Sequence, residues 1–352
     1  MASIDISTFR DYEARGLLTC RAHPTGDLLI WNYTQQCQYE QAWDEVTIQS
    51  RGLITTSAGV IVARPFKKFF NLEQHQGALP SEAFTVTAKM DGSLGVLYFL
   101  DGQPYIATRG SFSSDQAIKA NALLSEKYGG SMGLLNPEYT YLFEILYPAN
   151  RIVVNYGDLE DLVLLAVIHT ESGAEVDIHA PDALKEFAGL FPLVRIYDGI
   201  DDIAQLRAIE EENAEGFVIR FQSGLRLKLK FAEYVRLHRI LTQCTARTIW
   251  ELLRTNQPLH VFLEGVPDEF YAWVRRTREE LLAQFSSIEQ QCREVVEQVQ
   301  DLPTRKEQAA IVLKSTYPGI VFTMLDQKNY HEAIWKLLYP QASRPFAVDE
   351  EV

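Results

Sequence analysis

Up to about residue 231 the apolar positions fall in short runs rich in β-branched and aromatic residues, bounded by Gly, Asp and Pro. That pattern predicts strands with occasional short helices. Leu94 to Leu100 and Gln103 to Ala107 flank Asp101-Gly102, a dipeptide suited to a two-residue hairpin turn. Phe84 to Ala88, Thr140 to Leu146, Arg151 to Tyr156, Leu162 to Ile168, Gly216 to Phe221 and Leu225 to Phe231 read as further strands. The last two enclose Gln222-Ser223-Gly224, a second predicted hairpin. Helices are predicted over 115–127 and 181–189.

Beyond residue 231 the period changes. Leu281, Leu282, Phe285, Ile288, Cys292, Val295, Val296 and Val299 recur at helical spacing and form one apolar stripe, read as a core face. Thr304 followed by Glu307 has the spacing of a capping box, opening another helix that ends before Pro318. No repeat and no low-complexity linker separates the two patterns. The boundary expected from the change of period lies near residue 232, with a mixed α/β domain over 1–232 and a helical one over 233–352.

The chain has 352 residues, which suits about two domains. With 47% hydrophobic and 23% charged residues it has the balance of a folded protein, not a disordered one. Its apolar runs, such as Leu162 to Ile168, fall far short of the roughly 20 residues of a membrane span, so no membrane association is expected. Met1-Ala2-Ser3-Ile4-Asp5 has no basic region leading into an apolar one, and no secretory signal is expected. Cys20, Cys37, Cys244 and Cys292 are scattered without a C-x-x-C pair. That spacing argues against a zinc knuckle or a disulfide framework and for a reducing, cytoplasmic setting. His169, His179 and His238 show no metal-ligand spacing either. The net charge of −14 disfavours a nucleic-acid binder only until local charge is considered. Arg226, Lys228, Lys230, Arg236 and Arg239 stand against the single acid Glu233, and Arg64-Pro65-Phe66-Lys67-Lys68 is basic too. A phosphate-binding cleft on an acidic body fits this distribution.

The strongest local motif is Lys89-Met90-Asp91-Gly92-Ser93, set between two predicted strands. A lysine there, beside a glycine that permits close backbone approach, suits attack on phosphorus. An amine attacks only when neutral, and its ordinary pKa is about 10.4, so burial or neighbouring cations must depress it. Lys228 and Lys230 are the cations expected to do so. Glu144 interrupts an apolar strand run and should face a cleft, a cation or a ribose hydroxyl. Glu215 enters the strand Gly216 to Arg220 in the same manner. In Leu227-Lys228-Leu229-Lys230-Phe231, strand alternation puts both lysines on one face, where a phosphate would relieve their repulsion. Each motif alone also fits a plain structural reading: a surface lysine before a turn, an edge-strand glutamate, a helix-ending acid, a solvated strand face.

Taken together and in this order, the four motifs resemble the covalent nucleotidyltransferase superfamily of ATP-dependent ligases and capping enzymes. The flanks narrow the resemblance. Arg51-Gly52-Leu53-Ile54, Arg64 to Asn71, Arg109-Gly110-Ser111 with Asp115-Gln116-Ala117, Pro148 to Val153 and Tyr234 to His238 look like the first RNA ligase of T-even bacteriophage and its relatives. The resemblance covers roughly residues 28 to 240; beyond that the chain matches only in being helical.

The resemblance implies an α+β fold, with an antiparallel-sheet nucleotidyltransferase (ATP-grasp-like ligase) domain followed by a small all-α domain. It implies an ATP-dependent RNA ligase that joins 5′-phosphate and 3′-hydroxyl ends through a lysyl-AMP and an RNA-adenylate, in RNA repair or tRNA processing. Lys89 would be the adenylated nucleophile. Arg51 and Lys68 would hold the β- and γ-phosphates of ATP, Glu144 the ribose, and Lys228 and Lys230 the α-phosphate. Asp91 and Glu215 would bind Mg²⁺ or Mn²⁺ through water. Arg109 and Tyr234 would contact substrate or nucleotide, and Phe70 would pack under the site. Trp31 stands where relatives have the first Tyr of Tyr-Asn-Tyr, so stacking on the nucleotide is expected there without a phenol hydrogen bond. RNA and ATP are the implied partners, with no obligate protein partner. A DNA ligase, a capping guanylyltransferase or a non-catalytic RNA-binding relative are the alternatives. The first two usually append a β-rich domain where this tail reads helical, and a mere binder has no need of Lys89.

Overall fold

The short apolar runs pair into three sheets in the computed structural model, which describes residues 2–187, 189–259 and 268–341. β1 (Leu18–Ala22), β2 (Leu28–Tyr33), β3 (Arg51–Thr56) and β4 (Ile61–Ala63) form an antiparallel sheet in that order. The remaining strands are β5 (Phe70–Asn71), β6 (Phe84–Ala88), β7 (Ser93–Leu100), β8 (Gln103–Ala107), β9 (Tyr139–Leu146), β10 (Asp161–His169), β11 (Glu175–Val176), β12 (Gly216–Phe221) and β13 (Arg226–Lys230). The second sheet runs β11-β10-β9-β7-β8, all antiparallel; the third runs β5-β13-β12-β6, with only β5 and β13 parallel.

Both expected hairpins form. Asp101 and Gly102 take positive φ angles of 51° and 75°, the handedness that a tight hairpin turn requires. Alternation along β7, β9 and β10 lets the second sheet bury both faces. Leu97, Phe143, Ile145 and Leu164 pack with Ala120, Leu123 and Leu124 of the helix Asp115–Tyr128. Val96, Leu142 and Ala166 pack with Ile30, Ile54 and Ala63 of the first sheet. One expected strand is absent: Arg151 to Tyr156 is a loop. The reason lies in its amides, since Val153 and Val154 donate theirs to the Asp91 carboxylate at 2.8 Å each instead of to a neighbouring strand.

The chain divides into two compact units, Met1–Val235 and Arg236–Val352. The described part of the second is helical. Its helices include Ala246–Arg254, Asp268–Val299, Arg305–Val312, Pro318–Leu325 and His331–Leu337. The apolar stripe faces a core, as its period required: Ile288, Cys292 and Val299 are buried with Val312, Ile320, Val321 and Ile334. Thr304 caps its helix by accepting from the Glu307 amide. Residue 188 of the helix expected over 181–189 lies outside the described residues, and the helix runs Pro181–Phe187. Among the described residues no helix is long and apolar enough to cross a membrane.

Candidate active site

The turn from Lys89 to Gly92 leaves β6 at the edge of the third sheet and enters β7 within the second. It therefore stands where two sheets meet, and each sheet contributes side chains to it. The Lys89 amide donates to the Gly216 carbonyl at 2.9 Å, tying the turn to β12. Gly92 is required sterically: a Cβ there would lie 2.6 Å from the Ile145 carbonyl oxygen and 2.8 Å from a Leu146 methyl. That close approach lets the Gly92 amide donate to Glu144 Oε1 at 2.8 Å.

Lys89 Nζ meets Glu215 Oε2 at 2.7 Å, and Lys230 Nζ meets the other oxygen of Glu215 at 2.9 Å. Glu215 is only 3% exposed, so this is a buried acid shared between two cations. Burial opposes its charge, but Lys89 and Lys230 outweigh burial and hold its carboxyl below the ordinary value. The sequence led us to expect a depressed Lys89 pKa, and the structure corrects this. Burial pushes that amine down, yet Glu215, Glu144 and Asp91 more than offset it, so Lys89 is held protonated. The depression falls on Lys228, brought down to about 7 by burial and by Lys89, Lys230, Lys68 and Arg51. Glu144 moves the other way. Burial, reinforced by Glu215 and Asp91, raises it to about 8 despite Lys89 and the Gly92 amide.

Arg51, Lys68 and Arg109 gather around Tyr33, a residue the sequence reading did not select. Lys68 Nζ and Arg109 Nη1 donate to the Tyr33 hydroxyl at 3.4 and 3.3 Å. The Lys68 ammonium also sits 5.1 Å from the ring centroids of Tyr33 and Trp43 and 5.6 Å from that of Phe70. Burial raises the Tyr33 phenol, but Arg109, Arg51 and Lys68 prevail and lower it. Gly52, at φ 93°, admits this arrangement, since a Cβ there would press on the Arg109 backbone at 3.1 and 3.2 Å. Arg51 Nη1 and Arg109 Nε are buried without a hydrogen-bond acceptor. Among the described residues no carboxylate forms an ion pair with Arg51, Lys68, Arg109 or Lys228. These partly buried cations, two of whose guanidinium nitrogens have no acceptor, form a cluster suited to an anion.

Most of the expected site residues thus converge. Lys89, Glu144, Glu215, Lys228 and Lys230 surround the turn, Arg51, Lys68 and Arg109 form the cationic pocket, and Phe70 packs at its rim. The lysines of β13 point to one face while Leu227 and Leu229 are buried on the other. Tyr234 comes to Asp91, not to open space: its hydroxyl donates to Asp91 Oδ1 at 2.8 Å. Asp91 itself is 3% exposed, and Oδ2 is taken by Val153 and Val154. Trp31 is a correction. It is fully buried against Phe9, with Nε1 donating to Thr55 Oγ1 at 3.1 Å, so its ring belongs to the core and is closed to a nucleotide. Tyr33, Trp43 and Phe70, not Trp31, bring aromatic rings to the cations. The signal for Tyr33 lay in the same Trp31-Asn32-Tyr33 run.

The donor set suits a hard divalent cation: Glu144 Oε2 and, in exchange for a lysine, an oxygen of Glu215 are carboxylate donors, and a cation would offset the burial that raises the Glu144 carboxyl. Among the described residues no group of three or more His, Cys, Asp or Glu forms a ready cage.

The sheets and the site define an α+β protein that sets Lys89, paired with a buried carboxylate, beside a cluster of cations. A family model described as RNA ligase matches residues 49–235, a little over half of the chain, and the chain belongs to that family. A provisionally named RNA ligase of Thermovibrio ammonificans is 28% identical over 237 residues, covering 64% of this chain and 60% of that one. A provisionally named bifunctional polynucleotide kinase/RNA ligase of Autographa californica nuclear polyhedrosis virus is 29% identical over 242 residues, covering 60% and 34%. The chain therefore spans less than two thirds of the length of either relative. Among solved structures, a variant of the Naegleria gruberi RNA ligase with ATP and Mn is similar at a TM-score of 0.38 and 18% identity, covering 45% of this chain and 52% of that one.

Proposed function

We propose that the protein seals RNA ends with ATP in three steps. The observation that carries this reading is the juxtaposition of Lys89 with a polyanion pocket whose cations lack carboxylate partners. ATP would place its β- and γ-phosphates against Arg51, Lys68 and Arg109 and its α-phosphate beside Lys228 and Lys230. Lys89 must first lose to solvent the proton that Glu215 helps it keep. Its neutral amine then attacks the α-phosphorus, a Nζ–P bond forms as the amine's second proton passes to solvent, the α–β bridge breaks, and pyrophosphate departs on the cations that held it. Glu144 would accept a hydrogen bond from the ribose. Mg²⁺ or Mn²⁺, when bound, supplies charge neutralisation on the phosphates, and Glu215 and Glu144 are the acids that would hold it.

In the second step an RNA 5′-phosphate displaces Lys89 from the AMP. In the third a 3′-hydroxyl attacks the activated 5′-phosphorus and AMP leaves. Lys228 and Lys230 serve all three steps, because each time a phosphate is the electrophile. Ends of this kind are those of a broken strand, so RNA repair is the role we propose.

The test is an incubation of 5′-phosphorylated, 3′-hydroxyl RNA with the protein, a divalent metal and each ribonucleoside triphosphate in turn. Circularised or joined RNA with ATP is the expected result. Sealing with GTP and not ATP would make it a GTP-dependent ligase, and covalent labelling of the protein by GTP without any sealing would point to a capping enzyme instead.

A further inference from the structure

β2 and β3 fall out of step at one point. Trp31 pairs with Leu53 and Asn32 with Arg51, so Gly52 is the extra residue of a β-bulge. The bulge lies beside Tyr33, whose amide donates to the Ser50 carbonyl at 2.8 Å. Tyr33 is only 5% exposed, and Trp43 packs edge-on against its ring, 5.1 Å between centroids. Backbone and ring are thus fixed, and what Tyr33 brings to the cations is its hydroxyl.

The hydroxyl oxygen accepts from Lys68 Nζ at 3.4 Å and from Arg109 Nη1 at 3.3 Å. Gln38 Oε1 accepts from the same Lys68 ammonium at 3.5 Å. A phenol oxygen that accepts from two cations still has one proton to donate, and neither an ammonium nor a guanidinium can accept it. Among the described residues no group accepts that proton. Arg51 Nη1 and Arg109 Nε are buried without an acceptor in the same cluster. Burial opposes ionisation of the phenol, but Arg109, Arg51 and Lys68 outweigh it and leave the O–H a more acidic donor. Facing an anionic phosphate oxygen, such a donor makes a charge-assisted bond.

We infer that Tyr33 is a phosphate ligand: its hydroxyl donates to a β- or γ-phosphate oxygen of ATP, and then to the pyrophosphate that leaves. It thereby acts in lysine adenylation and not in sealing. The inference rests on the RNA ligase reading for the identity of the polyphosphate as part of ATP, though not for the binding of pyrophosphate itself.

The test introduces Tyr33→Phe into the full chain, in the wild type and in the Arg109→Ala and Lys68→Ala backgrounds. Two probes are used: inorganic pyrophosphate with Mg²⁺, its binding read by calorimetry, and α-labelled ATP, read as the rate of covalent labelling. Tyr33→Phe keeps the ring and should bind pyrophosphate about tenfold more weakly, the loss typical of one hydrogen bond to a charged group. The kcat/KM for labelling should fall by at least as much. Sealing of RNA that already carries a 5′-adenylate, in which no pyrophosphate takes part, should keep its rate within about twofold. An equal loss in that sealing would make the hydroxyl a structural group and overturn the inference. In both backgrounds the loss of pyrophosphate affinity should keep its size within about twofold. A loss that shrinks severalfold in either one would reduce Tyr33 to a support for that cation and overturn the inference as well. Should Tyr33→Phe fail to fold, alkaline titration of tyrosine absorbance in the wild type decides. With pyrophosphate bound, one of the sixteen tyrosines should titrate at a higher pH, and an unchanged curve would refute the contact. Wild-type protein that binds no pyrophosphate would refute it too. Pyrophosphate binding without ATP labelling would refute the ligase reading instead, and the binding arm would still decide on Tyr33.

Discussion

Lys228 bears the electrostatic cost of the site. Its amine is pushed to about 7 because it is buried among Lys89, Lys230, Lys68 and Arg51. An anion placed beside it reverses that push, so the bound value must exceed the free one. Above pH 7, ATP binding should then take up a proton, and affinity should fall as pH rises from about 7 toward the bound value. Calorimetry in buffers of different ionisation enthalpy should show this uptake in the wild type and lose it in Lys228→Met; equal uptake in both would place the proton elsewhere. Replacing Lys228 or Lys230 by Ala should slow Lys89 adenylation about a hundredfold, the size of effect seen when one preorganised contact to a developing charge is lost. Lys89→Ala should abolish adenylation yet still seal RNA already carrying a 5′-adenylate, which no longer needs the nucleophile. Sealing assays on pre-adenylated RNA separate the two outcomes. At this scale the sequence was legible where chemistry forces an odd residue into a pattern, as with Glu144 in an apolar strand. It misled where an aromatic residue has two suitable homes. Trp31 and Tyr33 share a strand face, and only tertiary packing decides that Trp31 fills the core beside Phe9 while Tyr33 meets the cations. Trp31→Phe should accordingly lower the unfolding midpoint and leave the KM for ATP within about twofold, since it leaves a cavity and an unpaired Thr55 hydroxyl in the core. A large rise in KM without loss of stability would return Trp31 to the nucleotide.

Among the elements, the hairpins and central strands were readable because alternation and turn chemistry are local. The 150–156 loop was not: its Ile-Val-Val sequence has strand propensity, and a distant carboxylate captures its amides. The first sheet was also missed, since its short strands are broken by turns and by helices of only five residues. The turn that links β6 to β7 is where element geometry controls chemistry. Gly92→Ala would set a methyl 2.6 Å from the Ile145 carbonyl oxygen, and neither backbone can yield without moving Lys89 or Glu144. The variant should lose about 1–3 kcal/mol of stability, the usual cost of overpacking. It should also label with ATP at least tenfold more slowly. Denaturant unfolding together with the labelling assay checks both, and a fully active, equally stable Gly92→Ala protein would contradict this geometry.

For the molecule as a whole, residues 49–235 carry the RNA ligase family signature, and every site residue discussed here lies within Met1–Val235. The helical unit has its own apolar core around Ile288, Cys292 and Val321. We therefore expect a chain ending after about residue 240 to adenylate itself and to differ from the full chain in which RNA ends it seals; a folded truncation that cannot take AMP would oppose this division. Binding of RNA to an acidic protein through a local cationic cleft should weaken steeply with salt. The catalytic expectations all depend on Lys89 being the residue that takes the nucleotide. The most direct measurement is incubation with α-labelled ATP and Mg²⁺, followed by proteolysis and mass spectrometry under conditions that preserve an acid-labile phosphoramidate. One AMP on the peptide containing Lys89, absent in Lys89→Ala, is the expected result. AMP on another residue, or no label from pure ATP and metal, would contradict it.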